Sequence, residues 1–207
     1  LTWDEVLGIL LFLLAACFLA VSVFLCFSDD IWYDELFTMG LAGQSFGELI
    51  SVTARDVHPP LYYMIVKLFL MLFQALGICP ASVPGGGLQD GVGGMTVISP
   101  VTVARLVSVL PFLLCLVYGA VKVRRRFGML TAGLFCFLLL TMPQLPGYTV
   151  EARMYGWALF FVTALMLHGY DLAVPGPEKN SSGSKERALN WTALTLYGLS
   201  ACYTHYF

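Results

Sequence analysis

The feature that most constrains this chain is an apolar run without a single charge, from Val6 to Phe27. As an α-helix, such a run is long enough to cross the roughly 30 Å hydrocarbon core of a bilayer. Only 12% of the 207 residues are charged and 58% are hydrophobic, whereas a soluble domain has about 25% charged residues. Because further uncharged stretches follow, the sequence predicts an all-α, polytopic transmembrane helical bundle.

Four more spans are predicted after the first, at about residues 103–121, 129–145, 155–172 and 190–207. The chain begins at Leu1 and stops within an apolar segment, so we expect the N-terminal part of a longer transmembrane domain. Residues 28–102 are expected to form a first outer loop with juxtamembrane helices, and residues 35–50 suit a short helix lying at the interface.

The segment Leu61–Cys79 is apolar but contains Lys67 and Gln74. A lysine at mid-bilayer costs about 2.5–3.5 kcal/mol on insertion scales. We therefore expect this segment to lie at the membrane surface rather than to cross it. The glycine- and proline-rich residues 80–100 that follow are interpreted as a variable loop.

The topology is predicted from the basic cluster Lys122–Arg126, which marks a cytoplasmic loop by the excess of lysine and arginine on that side. Counting the spans from this loop places several separated polar residues together on the outer face of the plasma membrane. These residues are Asp34, His58, Arg105, Glu151 and Arg153.

The first candidate site cluster directly follows the first span and runs from Asp29 to Glu35. Asp29 and Asp30 suit a solvated loop, and the alternative for the whole cluster is that it is simply a solvated loop at the interface. Asp34 and Glu35 are flanked by aromatic residues, and neighbouring side chains point in different directions. One of them can therefore meet a substrate while the other contacts a cation or supporting backbone.

Two more polar clusters are predicted to reach the same face. In Arg55–Pro60, the two prolines would hold His58 over the membrane surface, where it can bind a phosphate oxygen or an acceptor; a simple helix-breaking turn is the alternative. In Glu151–Tyr155, the guanidinium of Arg153 suits bidentate phosphate binding; an ion pair at a helix end is the alternative. His205 is interpreted as a packing residue.

Six segments in order carry a family resemblance: DIWYDELFT, DVHPPLYY, ARLVSVL, RRRFG, EARMYGWAL and YTHYF. The chain resembles the N-terminal half of bacterial GT-C membrane glycosyltransferases, which are relatives of the dolichyl-phosphate-mannose protein mannosyltransferases and of the aminoarabinose transferases acting on lipid A. The glycine-rich residues 80–100 depart from the family pattern.

The resemblance implies a polyprenyl-phosphate sugar donor and transfer on the outer face to an acceptor hydroxyl of a lipid, glycan or protein. It implies catalytic carboxylates at Asp34, with Glu35 beside it, and at Glu151. Asp34 would be the general base of an inverting displacement. The substrate- or phosphate-binding residues expected are Asp56, His58, Lys67, Arg105, Arg153 and Tyr155. A divalent metal ion is left open, with Asp34 and Glu151 as its ligands if one is bound, and no nucleic-acid partner is expected.

A transporter or lipid flippase without covalent chemistry is the competing hypothesis. It predicts charged residues in the middle of the spans, where they form a pathway. Here the charges gather at one face, which favours an interfacial enzyme. A non-catalytic scaffold would leave the carboxylate clusters unexplained.

Overall fold

The computed structural model describes residues 1–28, 30–80, 98–143, 145–174 and 183–206, and every regular element within these ranges is helical. The predicted all-α class is confirmed. The elements are α1 Trp3–Leu25, α2 Tyr33–Gly43, α3 Phe46–Thr53, α4 Leu61–Ala75, α5 Pro100–Tyr118, a π-helix Gly119–Val123, α6 Arg124–Thr141, α7 Leu145–Val150, α8 Tyr155–Ala173 and α9 Gly183–Cys202. Most of the predicted variable loop 80–100, and Asp29, lie outside the described residues.

Three helical runs in the described part of the chain are long and apolar enough to cross a membrane. They are Trp3–Leu25, Pro100–Thr141 and Tyr155–Ala173. By length and composition, the chain is therefore compatible with a helical membrane bundle.

The second of these runs reverses direction at Gly128, which has a φ of 86° that glycine adopts without strain. Cys136 Sγ lies 4.0 Å from the carbonyl oxygen of Leu116, although twenty residues of straight helix would separate them by about 30 Å. The run therefore forms two antiparallel arms, as the separately predicted spans 103–121 and 129–145 require. The basic cluster Lys122–Arg126 lies beside the turn.

The second arm packs closely on α1 through a pair of glycines. A Cβ atom added to Gly133 would lie 2.1 Å from the carbonyl oxygen of Gly8, and one added to Gly8 would lie 2.4 Å from the carbonyl oxygen of Met129. Small residues at such contacts let helix backbones approach each other, which is a common way of packing helices in membranes.

Replacing Gly133 by alanine is expected to destabilise the bundle by about 1–3 kcal/mol, because the methyl group pushes two backbones apart. The matched control is Gly40→Ala on the exposed side of α2, where nothing lies within 4 Å of the added Cβ. Thermal unfolding in detergent should separate the two variants. Equal melting temperatures would contradict the close contact between α1 and the second arm.

The predicted interfacial helix over residues 35–50 is two helices rather than one. It is interrupted at Gln44 and Ser45, whose backbones are extended. The Ser45 hydroxyl accepts a hydrogen bond from the Glu48 N–H at 3.3 Å, while the Glu48 carboxylate accepts one from the Ser45 N–H at 3.0 Å. This capping box starts a new helix, α3, and so ends the predicted one.

The predicted last span, residues 190–207, also differs from the structure. Helix α9 begins at Gly183 and ends at Cys202, and it packs along α8. It is not among the three runs that are apolar enough to span, because its first turns contain Lys185, Glu186 and Arg187. Helix α4, at 15 residues, extends about 22 Å, less than the hydrocarbon core; its placement at the surface stays a prediction.

Candidate active site

A buried ion pair between Glu35 and Arg105 lies at the end of the bundle where α1 finishes and α5 begins. Glu35 is 0% exposed and Arg105 is 2% exposed. Arg105 Nε donates to Glu35 Oε1 at 2.7 Å, and Nη2 donates to Oε2 at 2.7 Å. The N–H groups of Ala152 and Trp32 donate to the same two oxygens, at 3.0 and 3.1 Å. Each carboxylate oxygen thus accepts two hydrogen bonds, which fills its lone pairs.

This arrangement favours a structural role for both residues over the catalytic role predicted for Glu35 and the phosphate-binding role predicted for Arg105. Arg105 also donates to the Ser28 carbonyl at 2.8 Å and to the Asp30 carbonyl, so its guanidinium is occupied. Burial alone would raise the pKa of Glu35, but hydrogen bonds from Arg105 and from two backbone N–H groups hold it below its usual value. This buried ion pair holds the loop before α2 against α5.

Helix α2 also holds the segment between α7 and α8 through Ala152. The Ala152 N–H donates to Glu35 Oε1 at 3.0 Å, and its carbonyl accepts a hydrogen bond from the Thr38 hydroxyl at 2.9 Å. Glu35 and Thr38 are three residues apart and share one helical face. Clamping Ala152 fixes the two neighbouring side chains, Glu151 and Arg153. Thr38 was not among the predicted site residues, although its spacing from Glu35 was a signal.

A cavity of about 200 Å³ opens beside this clamp. Asp34 and Arg153 face each other across it, with Asp34 Oδ2 3.9 Å from Arg153 Nη2. The Asp34 side chain is 62% exposed and that of Arg153 only 8%. Asp34 and Glu35 thus divide as neighbouring side chains should, one towards the cavity and one into the protein. The lining residues are Trp32, Tyr33, Asp34, Glu35, Glu151 and Arg153.

Glu151 contributes a second carboxylate to the cavity wall. It is half-buried, and no hydrogen bond or ion pair reaches its carboxylate from the described parts of the chain. Burial raises its pKa above the usual value, the negative charges of Glu35 and Asp34 add to this rise, and the guanidinium of Arg153 partly opposes it. A ligand hydroxyl can therefore use Glu151 as an acceptor.

His58 and Asp56 are not among the residues that line the cavity. His58 Nδ1 is 3.3 Å from Asp56 Oδ2, so Asp56 orients the imidazole rather than meeting an anion. The His58 ring lies 6.0 Å from that of His205, which is 6.0 Å from that of Tyr155. The Arg153 guanidinium lies 5.7 Å from the Tyr155 ring. Of this row, only Arg153 lines the cavity.

The contacts of Lys67 favour a structural role over the predicted phosphate-binding one. Its Nζ donates to the carbonyl oxygens of Ala42 and Gln44, at 3.1 and 2.6 Å, and lies 5.2 Å from the Phe46 ring. The last carbonyls of a helix lack partners within the helix and form the negative end of its dipole. Lys67 therefore caps the end of α2 and is not directed at a substrate.

Lys67→Met is expected to lower the free energy of unfolding by about 1–2 kcal/mol, since it removes two hydrogen bonds from a charged donor at a helix end. Its affinity for a lipid-phosphate ligand should stay at the wild-type value. The matched control is Lys185→Met, at an exposed lysine of α9, which should change neither quantity. Unchanged melting together with weakened ligand binding would restore the predicted role.

A metal site in the cavity was left open by the sequence. The described residues contain no group of three or more His, Cys, Asp or Glu side chains that could hold a metal ion. Magnesium can be bound through one or two carboxylates with several waters, which Asp34 and Glu151 could supply. The guanidinium of Arg153 supplies positive charge at the same place.

Comparison with protein-family models, with curated proteins and with solved structures gave no match.

Proposed function

We propose that this chain forms the catalytic end of a GT-C type membrane glycosyltransferase. It would transfer a sugar from a polyprenyl-phosphate donor to an acceptor hydroxyl of a lipid, glycan or protein, at the outer face of the plasma membrane. The observation that carries the proposal is the cavity in which the exposed carboxylate of Asp34 faces the buried guanidinium of Arg153 at 3.9 Å. It combines a base with an anion-binding group at one end of an apolar bundle.

In this proposal, Asp34 accepts the proton of the acceptor hydroxyl while that oxygen attacks the anomeric carbon. The bond between the anomeric carbon and the phosphate oxygen breaks on the opposite side of the sugar, so the configuration inverts. The electron pair stays on the lipid phosphate. Arg153 stabilises the negative charge that grows there, and His58 adds to this effect; such electrostatic stabilisation is usually a large part of catalysis.

Glu151 would orient the acceptor by accepting a hydrogen bond from a second hydroxyl, which requires its ionised form. Because its pKa is raised, we expect transfer to fall, as the medium is acidified, at a higher pH than an ordinary glutamate would give. Glu151→Gln should be slower and should move this acid limb of the pH–rate profile to lower pH. An unchanged acid limb in that variant would contradict the role of Glu151.

One observation favours the competing transport hypothesis. A polar cluster joins the helices near the turn at Gly128, away from the cavity: Lys122 Nζ lies 2.8 Å from Asp171 Oδ2, and His168 Nδ1 lies 2.7 Å from Asn190 Oδ1. Charged and polar groups inside a bundle are typical of ion or substrate pathways. In this cluster, however, each of these groups has a partner, which is equally typical of a fixed helix contact.

The experiment that separates the two is incubation of the full-length protein, in membranes, with radiolabelled polyprenyl-phosphate sugars. The proposal predicts that the label becomes covalently attached to an acceptor and that unlabelled lipid phosphate is released. Movement of the labelled lipid across the membrane without any covalent product would support transport and reject the transferase.

A further inference from the structure

Half of the basic cluster beside the turn, at the end of the bundle away from the cavity, is engaged by the protein itself. Lys122 Nζ lies 2.8 Å from Asp171 Oδ2, so these two charges neutralise each other. Arg126 donates to the carbonyl oxygen of Val174. Both contacts tie the turn to the end of α8, and neither cation is available to a ligand.

The other half of the cluster, Arg124 and Arg125, is not engaged. Both residues are exposed, and no hydrogen bond or ion pair reaches either side chain from the described parts of the chain. The planar edge of a guanidinium matches two oxygens of one phosphate or carboxylate group. Two neighbouring arginines without partners therefore offer a place for an anion, and the surface beside them decides which kind of anion fits.

A strip of exposed apolar and aromatic side chains lies next to the cluster. Phe127 is 42% exposed and Tyr170 is 39% exposed, and the centres of their rings are 5.2 Å apart. The Arg126 guanidinium lies 5.4 Å from the same Tyr170 ring. Met166, which is 69% exposed, precedes Tyr170 by one helical turn on the same face of α8. The strip formed by Phe127, Tyr170 and Met166 thus runs from the cluster towards the middle of α8.

We propose that Arg124 and Arg125 bind the headgroup of an anionic phospholipid, one acyl chain of which lies along the strip. Clusters of lysine and arginine next to a membrane span attract anionic lipids, and a phospholipid joins the two chemistries that lie side by side here. A free phosphate would use the arginines alone. The proposal concerns the end of the bundle away from the cavity and does not rest on sugar transfer.

An excess of basic residues also sets the orientation of spans during insertion, which requires no bound lipid afterwards. The experiment therefore uses the purified full-length protein in a neutral detergent. A ligand that binds the folded state alone raises the melting temperature. The separate probes are phosphatidylglycerol, phosphatidylcholine and glycerol phosphate, the last being a headgroup without acyl chains.

Phosphatidylglycerol should raise the melting temperature, and the rise should shrink with added salt, which screens exposed charges. Phosphatidylcholine and glycerol phosphate should have little effect. Equal rises with the two phospholipids would overturn recognition of an anionic headgroup. A rise with glycerol phosphate as large as that with phosphatidylglycerol would overturn the role of the strip.

Replacing Arg124 and Arg125 together by glutamine should weaken phosphatidylglycerol binding about 10- to 30-fold, the usual effect of two basic residues near anionic lipid. Without lipid, the melting temperature should stay at the wild-type value, because neither side chain loses a partner. The matched control replaces Lys185 and Arg187 by glutamine, two exposed cations at the start of α9. This pair should keep nearly the wild-type affinity. Equal losses in the two double variants would mean that only net charge matters, and would overturn the site.

The strip is tested separately by Met166→Ser, which removes an exposed apolar side chain and leaves every arginine in place. Phosphatidylglycerol binding should weaken about 3- to 10-fold, because less apolar surface is buried against the acyl chain. Wild-type affinity in this variant would show that the acyl chain does not lie along α8, and that part of the proposal would be wrong.

Discussion

Asp34→Asn is expected to slow sugar transfer about 100- to 10,000-fold, the usual contribution of a general base. The amide has nearly the shape of the carboxylate, but it cannot take the proton of the acceptor hydroxyl. Asp34 is largely exposed, and the one ion pair it makes with the described residues is a 3.9 Å contact with Arg153, so its replacement should leave folding intact. The measurement is the initial rate of product formation from a radiolabelled donor, normalised to the amount of inserted protein.

The control for this variant is Asp30→Asn, which removes an exposed carboxylate four residues earlier. The structural contact of Asp30 uses its backbone carbonyl, which accepts from Arg105 and is unchanged by the substitution. Transfer should therefore stay close to the wild-type rate. Near-normal turnover in Asp34→Asn would reject Asp34 as the base. An equal loss in both variants would mean that only the negative charge of the loop matters.

Glu35→Gln is expected to destabilise the fold by about 3–5 kcal/mol, because it leaves the charge of Arg105 buried without its counter-ion. This exceeds the effect of any other substitution considered for the bundle and is a large part of a typical total stability. The variant should melt at a clearly lower temperature or fail to accumulate in membranes. Any loss of transfer should follow the loss of folded protein.

The same ion pair sets a pH dependence of stability. The pKa of Glu35 is lower in the folded protein than its ordinary value. The contribution of ionised Glu35 to the stability of the fold is therefore present above the ordinary pKa and is lost as the pH falls through the lowered pKa. The free energy of unfolding of the wild-type protein should therefore fall in acid. Because Glu35→Gln lacks this carboxylate, its free energy of unfolding should fall less over the same pH range.

Glu48→Gln is a closely matched control for Glu35→Gln. Both glutamates occupy the third position of a short helix and accept a hydrogen bond from the N-cap N–H, at 3.1 Å for Glu35 and 3.0 Å for Glu48. Glutamine can serve in a capping box too, and Glu48 is exposed. Its replacement should change the melting temperature little. Similar losses in the two variants would contradict a special role of the Arg105 pair.

The all-helical class of the fold and the convergence of the polar clusters at one end of the bundle could be predicted from sequence, because both depend on patterns along the chain. Long uncharged runs indicate spanning helices, and their number places the intervening loops at one end or the other. The split between Asp34 and Glu35 was also predictable, since neighbouring side chains on a helix point in different directions. The turn at Gly128 follows the basic cluster at which the predicted spans separate.

The roles of Arg105 and Lys67 could not be predicted in this way, because a charge pattern does not name its partner. Arg105 pairs with Glu35 across 70 residues of sequence, and Lys67 caps a helix that ends 24 residues earlier. Both were predicted to bind phosphate, and only the structure shows the carboxylate and carbonyl oxygens to which they donate. Thr38 was missed for a different reason: a neutral polar residue in a helix stands out only when its hydrogen-bond partner, here the Ala152 carbonyl, is known.

The most direct test of a shared cavity is the accessibility of single cysteines, introduced at positions 34, 151 and 125 in a variant without the native cysteines. A maleimide that cannot cross the membrane would be added to intact cells and then to permeabilised ones. We expect positions 34 and 151 to be labelled from outside, and position 125, in the basic cluster, only after permeabilisation. Labelling of positions 34 and 151 from opposite sides would rule out a common site.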